Sequence, residues 1–266
     1  RSLTGSLRGG GPCGPPPFSV ERFEKMIACK KVCGASLWVS LCALATAVLP
    51  AVAEEACAID PDRLGARYAV TRTVGDGSEK EVSVQHIQLW RRGGQVAYVH
   101  EEREITEIWD LVSDGRQKLI RYFDGYERAI EYQPEDIETG SGEAAWNARY
   151  QLVPDAELAA MDQTGSSGSG CDESMVLSKI DEASGASVVI RWRPGLEMVE
   201  ELERATGIET VTWELDALYT DGARVDSEFT RRHVYNTVDF VDIGDNESDP
   251  FLQKMINLGF IEHHAH

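Results

Sequence analysis

The sequence is poor in positive charge. Its 266 residues include 26 lysines and arginines against 45 aspartates and glutamates, so the formal net charge is −19. A surface this acidic repels phosphate backbones and anionic lipid headgroups, which disfavours nucleic acids and membrane surfaces as partners. The same field attracts cationic partners, metal ions among them.

The sequence also lacks the motifs of common catalytic sites. It contains no P-loop, no Rossmann glycine fingerprint and no H-E-x-x-H motif, and the glycines of "TGSSGSG" do not have the spacing of a G-x-S-x-G nucleophile elbow. Between residue 54 and the C-terminal tail, only His86, His100 and His233 are histidines. We therefore predict a non-catalytic protein with no catalytic residue and no cofactor. A hydrolase that uses two carboxylates is the remaining enzymatic alternative.

Residues 26–53 have the three parts of a secretory signal peptide. Lys30 and Lys31 form its positively charged start, and residues 37–49 form an almost uninterrupted apolar run. Residues 51–53 read Ala-Val-Ala, a small-x-small cleavage site. We predict cleavage after Ala53 and an exported, periplasmic protein.

The signal peptide divides the chain. Residues 1–25 lack an initiator methionine and are rich in glycine and proline, so they are predicted to be a non-native extension. Residues 54–266 are predicted to form a single exported domain without stable membrane insertion. The alternative is that residues 35–53 are retained as a membrane anchor, since they are just long enough to span a bilayer.

Two cysteines, Cys57 and Cys171, remain after the predicted cleavage site. An even number of cysteines in an oxidising compartment predicts a disulfide, and two free thiols are the alternative. The bridge would close a loop of roughly 115 residues, which stabilises a fold by about 4–5 kcal/mol in the chain-entropy model. Neither cysteine belongs to a C-x-x-C motif, so redox catalysis has no support.

Turn signals recur at strand-length intervals after residue 60. Pairs that suit tight hairpin turns, because glycine tolerates positive φ, are Gly93-Gly94, Asp114-Gly115, Asp124-Gly125, Ser184-Gly185 and Asp221-Gly222. Most segments between them alternate polar and apolar residues, which predicts about ten strands joined mostly by hairpins, the last of them within 223–241. A change of phase in "KEVSVQHIQLW" predicts a bulge near Gln85 and His86.

Helices are few in the predicted fold. Short helices are expected after Pro154, over residues 194–207 and from Pro250 to Gly259, the last with Asp249 as its N-cap. Residues 162–172, "DQTGSSGSGCD", are predicted to be a flexible loop within one domain, and a boundary between two domains is the alternative. The helix and tail at 249–266 complete the predicted domain.

A long antiparallel meander with few helices, in an exported protein, resembles the LolA/LolB-like superfamily of periplasmic carriers. The resemblance covers most of residues 60–245 and concerns architecture, without a diagnostic motif. It implies an α+β fold, mostly antiparallel β, in which one large curved meander sheet of about ten strands forms a half-barrel with two or three short helices. It also implies a concave face that holds an acyl chain or other apolar group.

Tryptophans are the candidate ligand contacts of such a face. Those in the predicted exported domain are Trp90, Trp109, Trp146, Trp192 and Trp213. We single out Trp192 and Trp213 because both lie in the middle of predicted strands. Packing in the core is the competing interpretation, since aromatic side chains dominate protein cores.

The tail "IEHHAH" is the candidate metal site. His263, His264 and His266 could bind Cu²⁺ or Zn²⁺ through neutral imidazole, either physiologically or adventitiously, and a plain polar tail is the alternative. The sequence thus favours an exported binding protein for an apolar small molecule or an envelope protein. A periplasmic metal-handling protein and a structural subunit of an envelope complex are the alternatives.

Overall fold

The computed structural model describes residues 56–76, 79–112, 115–137, 142–243 and 248–258, all of which belong to one compact unit. They form one open, curved sheet of twelve strands with four short α-helices, an α+β fold dominated by antiparallel pairing. The predicted fold class is confirmed. Among the residues described, no helix is long and apolar enough to cross a membrane.

The strands form two antiparallel meanders and one added strand that pairs in parallel at an edge. Their bounds are β1 Arg63–Val74, β2 Glu81–Arg92, β3 Gln95–His100, β4 Ile105–Leu111, β5 Gln117–Phe123, β6 Arg128–Tyr132, β7 Asp162–Ser167, β8 Ser174–Asp181, β9 Ala186–Arg193, β10 Met198–Thr206, β11 Glu209–Tyr219 and β12 Asn236–Asp239. The order across the sheet is β12-β6-β5-β4-β3-β2-β1-β11-β10-β9-β8-β7. Two meanders, β1 to β6 and β7 to β11, therefore join where β11 pairs with β1.

Four α-helices accompany the sheet. They are α1 Glu143–Gln151, α2 Asp155–Leu158, α3 Gly222–Thr230 and α4 Pro250–Asn257. We call the side of the sheet that carries Leu64 and Leu89 the inner face, and the side that carries Trp90 the outer face. The helices α1, α2 and α4 pack on the inner face, and α3 packs on the outer face.

The two faces arise because successive side chains along each strand point to opposite sides of the sheet. In β1 the side chains of Leu64, Ala66, Tyr68 and Val70 are buried on the inner face, where they pack with Leu89 and its neighbours beneath α1 and α2. Because successive strand residues point to opposite sides, a period of two places all four on one face.

A second core cluster lies under α4. Phe251, Leu252 and Met255 pack on Phe123 and Ile130 of β5 and β6. The helix begins as predicted, because the Asp249 side chain accepts a hydrogen bond from the Phe251 N–H at 2.8 Å and Pro250 needs no partner for its nitrogen.

The outer face closes around Trp90, whose side chain is fully buried and stacks on Tyr219 at 5.2 Å between ring centroids. Gly65 lies opposite Trp90 in the β1–β2 ladder. A Cβ atom at Gly65 would lie well inside van der Waals contact of the Trp90 ring. Glycine at this position therefore makes room for the indole.

We expect Gly65→Ala to lower the free energy of unfolding by about 1–3 kcal/mol, because a methyl group there overpacks the Trp90 contact. Gly94→Ala is the matched control, since the nearest atoms to its Cβ, in Leu111, lie 3.9 Å away and its φ is not positive. Urea unfolding followed by circular dichroism measures both. Equal midpoints for the Gly65 variant and the parent protein would contradict the packing argument.

The predicted helix at 194–207 is wrong. A short 3-10 turn, Pro194–Leu196, leads directly into β10. Val199 and Leu202 both point inward although they are three residues apart, because a bulge leaves Glu200 unpaired between them. The bulge gives this strand a helix-like spacing of apolar residues, and Gly207 lies in the β10–β11 hairpin instead of ending a helix.

The predicted bulge at Gln85 and His86 is also wrong. The β2 strand pairs with β1 without interruption, and the bulge of this region lies in β11 at Asp216. Val82 and Val84 simply occupy the exposed side of the strand, with 58% and 54% of their surface accessible. Because these two valines are apolar but lie on the exposed side, the sequence pattern of β2 suggests a bulge although its pairing with β1 is regular.

Three segments differ from the expected element type. Asp221-Gly222 starts α3 instead of a hairpin, because the Asp221 carboxylate caps the N–H groups of Ala223 and Arg224. Residues 223–241, predicted as a strand, are therefore mostly helix and turn, and only β12 is extended. The helix α1 was not predicted from the sequence.

The predicted flexible loop at 162–172 contains an edge strand. Its first part is β7, which pairs with β8, and Gly170–Asp172 form a 3-10 turn. An edge strand pairs its backbone on one side only, and β7 buries no side chain, so it needs no apolar pattern in its sequence.

The other residue pairs predicted to form turns do lie between strands, as far as the structure describes them. Gly93-Gly94 and Ser184-Gly185 join consecutive antiparallel strands, and Asp124-Gly125 lies in the 3-10 turn between β5 and β6. Gly115 lies between β4 and β5, while Asp114 falls outside the described residues.

Candidate functional site

A cleft of about 420 Å³ opens where α1 and α2 meet the inner face beside the β9–β10 turn. Its walls come from the start of the domain, the two helices and the end of β9. The residues that line it are Asp62, Trp146, Asn147, Tyr150, Gln151, Asp155, Leu158, Trp192, Pro194 and Glu197.

Three aromatic side chains line the cleft. Trp146 and Tyr150 lie one helical turn apart on α1, and Trp192 comes from β9. Residues at i and i+4 share one face of a helix, so both α1 rings are directed to the same side. Trp146 is half-buried, whereas Tyr150 and Trp192 are each 8% exposed. The cleft therefore has one aromatic ring, that of Trp146, that is more open to solvent than the other two.

Three carboxylates and two amides supply the polar groups. Asp155 accepts hydrogen bonds from the side-chain amides of Asn147 at 2.6 Å and Gln151 at 2.5 Å. Asp62 accepts the hydroxyl hydrogen of Tyr150 at 2.8 Å. These bonds tie α1 to the start of α2 and to the segment before β1, so the shape of the cleft exists without a ligand.

Arg91 lies behind the cleft lining and connects the segments that form it. Its side chain is fully buried, and it donates hydrogen bonds to the backbone oxygens of Tyr150 at 2.7 Å, Leu196 at 3.0 Å and Glu197 at 2.7 Å. Its guanidinium carbon also lies 4.0 Å from the centroid of the Tyr150 ring. One cation thus joins α1 to the β9–β10 turn.

Burial is the main cause of the pKa shifts of Tyr150 and Arg91. Burial raises the pKa of the Tyr150 phenol; Arg91 opposes the shift and Asp62 adds to it, so the phenol stays protonated and donates to Asp62. Burial likewise lowers the pKa of Arg91, and the neighbouring tyrosines and Glu197 oppose this. Arginine nevertheless remains a cation in proteins.

The predicted disulfide between Cys57 and Cys171 is confirmed. The disulfide lies against the Pro194–Leu196 turn, which forms one end of the cleft. A Cβ atom at Gly195 in this turn would come within 3.0 Å of both the Cys57 Cβ and the Gly170 oxygen. The absence of a side chain at Gly195 therefore lets the turn rest on the disulfide. The bridge connects the N-terminal segment to the β7–β8 region beneath this turn.

The two predicted tryptophans have different surroundings. Trp192 lines the cleft, and its role as a ligand contact stays a prediction. Trp213 lies in the core, where it is 6% exposed and packs edge-to-face on Tyr68 at 5.8 Å between centroids. Trp213 is not among the residues that line the cleft, although it shares the inner face with Trp192.

The three candidate metal ligands, His263, His264 and His266, lie outside the described residues. Within the described ranges, no group of three or more histidine, cysteine, aspartate or glutamate side chains is arranged to hold a metal ion. Metal binding by the tail remains an untested hypothesis.

A second polar cluster crosses the inner face between the two core clusters. Arg121 donates to Glu107 at 2.9 Å, and His100 lies nearby. Burial pushes the pKa of Glu107 upward, but Arg121, His100 and Arg103 outweigh it and leave that pKa below its usual value. Burial lowers the pKa of His100. The Glu107 carboxylate is thus held in its charged form by its arginine partner.

Sequence reasoning missed the importance of Tyr150 and Arg91. The spacing of Trp146 and Tyr150 in "EAAWNARYQ" is a helical signal that could have located α1. No sequence pattern marks Arg91, because its carbonyl partners lie 59, 105 and 106 residues away along the chain.

No family model matches the sequence, and no curated protein matches it. Solved structures with a similar fold include a proposed outer membrane lipoprotein-sorting protein domain from Vibrio parahaemolyticus, at 9% identity and a TM-score of 0.29, covering 65% of this chain and 91% of that one. A LolA superfamily protein from Nitrosomonas europaea matches at 10% identity and a TM-score of 0.27, covering 60% of this chain and 86% of that one. A DUF1329 family protein from Desulfovibrio piger matches at 8% identity and a TM-score of 0.31, covering 64% and 90%.

The superfamily that the strand pattern resembles is thus represented among these structures. At such identities the similarity concerns the fold alone, and no ligand, partner or location is transferred from it.

Proposed function

We propose that the chain is an exported, non-catalytic binding protein whose ligand site is the cleft between α1, α2 and the β9–β10 turn. Its ligand is a small molecule with an apolar portion. The observation that carries this proposal is the group of three aromatic side chains, Trp146, Tyr150 and Trp192, around a preformed cleft of about 420 Å³. Ligand pockets typically enclose roughly 300–1,000 Å³ and combine apolar walls with a few placed polar groups.

Packed side chains fill most of the inner face and so limit where a ligand can bind. The region under α4 is filled by Phe251, Leu252 and Met255. The region under the first two helices is filled by Leu64, Leu89 and their neighbours. The cleft retains room for a ligand beside these cores, which supports a ligand site at one end of the inner face instead of across the whole sheet.

Export is part of the proposal and depends on the sequence. The apolar run at 37–49 and the cleavage motif that ends at Ala53 support it. The disulfide between Cys57 and Cys171 also supports it, because disulfides persist in oxidising compartments such as the bacterial periplasm.

We expect the neutral fluorescent probe N-phenyl-1-naphthylamine to bind the cleft. Trp146→Ala should weaken this binding about tenfold, which corresponds to about 1.4 kcal/mol, because the most accessible ring of the apolar wall is removed. Fluorescence titration of the protein purified from the periplasm of a bacterial host, after expression of the full chain, measures both affinities.

Trp213→Phe is the control for this titration, since residue 213 contacts the core and does not line the cleft. It should leave the probe affinity unchanged. Probe binding that is absent from the parent protein, or that is equally strong in the Trp146 variant, would contradict the proposed site.

A further inference from the structure

We infer that the ligand of the cleft is an organic cation, an ammonium group with apolar substituents. The inference rests on the proposed function, since it names the ligand class of the same site. Among the residues that line the cleft are three carboxylates, those of Asp62, Asp155 and Glu197, and no lysine or arginine. The chain as a whole carries a net charge of −19, which adds to the attraction of a cation.

The aromatic walls are suited to the same ligand. The faces of tryptophan and tyrosine rings attract cations, and such contacts contribute about 0.5–2 kcal/mol each, more when water is excluded. Trp146, the most accessible of the three rings, and Trp192 therefore offer both apolar contact and cation–π attraction. One face of the Tyr150 ring already carries the Arg91 guanidinium. Ammonium groups with apolar substituents are bound in proteins by aromatic surfaces of this composition.

Arg91 is a buried positive charge behind the cleft, and it does not face the ligand. The guanidinium is fully buried, it is not part of the cleft lining, and its N–H groups donate to backbone oxygens. Its single positive charge reduces the field of three carboxylates without cancelling it. An anionic ligand would still meet a net negative site.

Glu197 is the carboxylate best placed to meet a cation. It is exposed at the cleft, and its side chain forms no hydrogen bond or ion pair in the described part of the chain. By contrast, Asp62 accepts the Tyr150 hydroxyl and Asp155 accepts two amide donors. The Glu197 carboxylate is therefore the one of the three without a hydrogen-bond donor in the described ranges, although it interacts electrostatically with the buried Arg91.

The backbone of Glu197 provides a matched comparison. It has a φ of 48° at the end of the β9–β10 turn, and Glu127 has a φ of 50° at the same position of the β5–β6 turn. The left-handed conformation is thus a property of this turn type and does not mark a site. Only Glu197 of these two lines the cleft, so the pair separates the effect of the cleft from the effect of the turn.

A bare metal ion fits the cleft less well. Hard cations take six or more oxygen ligands from converging groups. Within the described ranges no three acidic, histidine or cysteine side chains converge in that way. An organic cation needs only one or two carboxylates and an aromatic surface, which is what this cleft provides.

The test compares choline with 3,3-dimethylbutan-1-ol, which has nearly the same shape and no charge. Isothermal titration calorimetry on the protein purified from the periplasm should show choline binding at least tenfold tighter than the alcohol. Glu197→Gln should weaken choline binding about fivefold to tenfold and leave the affinity for the alcohol unchanged. Glu127→Gln should change neither affinity. Added sodium chloride should weaken choline binding alone.

Equal affinities for choline and the alcohol, or a Glu197 variant that binds choline as tightly as the parent protein, would overturn the inference. So would the absence of choline binding while the neutral naphthylamine probe still binds, and in that case the proposed function stands. If neither choline nor the neutral probe binds, both proposals fail. Circular dichroism of Glu197→Gln verifies that an exposed charge was removed without loss of the fold.

Discussion

Replacing Arg91 with methionine is expected to lower the free energy of unfolding by about 3–5 kcal/mol. Methionine fills a similar volume but donates no hydrogen bond. The backbone oxygens of Tyr150, Leu196 and Glu197 would each lose a charged donor in the interior. An unsatisfied buried polar group costs about 1–3 kcal/mol, and local relaxation recovers part of the sum.

The same substitution should weaken ligand binding in the cleft, because Arg91 is the shared support of α1 and the β9–β10 turn. Arg91→Lys is expected to be intermediate in stability, since an ammonium group lacks the planar fork that reaches several carbonyls at once. Urea unfolding followed by circular dichroism gives the stabilities, and titration with the naphthylamine probe gives the affinities.

Arg116→Met is the control for this series. Arg116 is 52% exposed, and its nitrogen lies 3.5 Å from the Glu135 carboxylate. Exposed pairs of this kind contribute little, so the change should stay within about 0.5 kcal/mol. If the Arg91→Met protein were as stable as the Arg116→Met protein, the buried guanidinium would not be the support that its contacts suggest.

Removing the disulfide is the second change with a large expected effect. Cys57→Ser together with Cys171→Ser should lower the free energy of unfolding by about 4–5 kcal/mol, because the bridge joins cysteines 114 positions apart and restricts the unfolded chain. The Gly195 turn rests on this bridge. Affinity for the naphthylamine probe should therefore fall in the same variant.

Reduction provides an independent check on the disulfide. A chemical reductant should bring the unfolding midpoint of the parent protein close to that of the double variant, and it should leave the variant itself unchanged. An unfolding midpoint of the double variant equal to that of the oxidised parent protein would show that the bridge does not stabilise the fold.

Local sequence patterns suffice to predict most of the strands. Strands β1 to β6, β8, β9 and β11 are confirmed because alternation of apolar residues and nearby turn residues are encoded within each segment. The β10 strand was misread as a helix because a bulge at Glu200 spaces Val199 and Leu202 like residues on a helix. β7 was misread as a loop because it buries no side chain.

The candidate site was only partly predictable. Trp192 was selected from its position in a strand, and Cys57 and Cys171 were paired by their number and the predicted compartment. The cleft itself combines Asp62, the α1 helix and the β9–β10 turn, which lie far apart along the sequence. No periodicity links such segments, so the site became visible only with the fold.

The sequence alone determined the acidic charge, the disulfide partners and most of the strands of an antiparallel sheet, because these depend on composition and on patterns within about ten neighbouring residues. The tertiary structure decided where the two meanders of the open sheet join, through the pairing of β1 with β11, and which aromatic rings remain accessible. It also decided that Arg91 lies buried between α1 and a distant turn. Those features depend on contacts between residues separated by 50 or more positions, and such contacts form only when the whole domain packs.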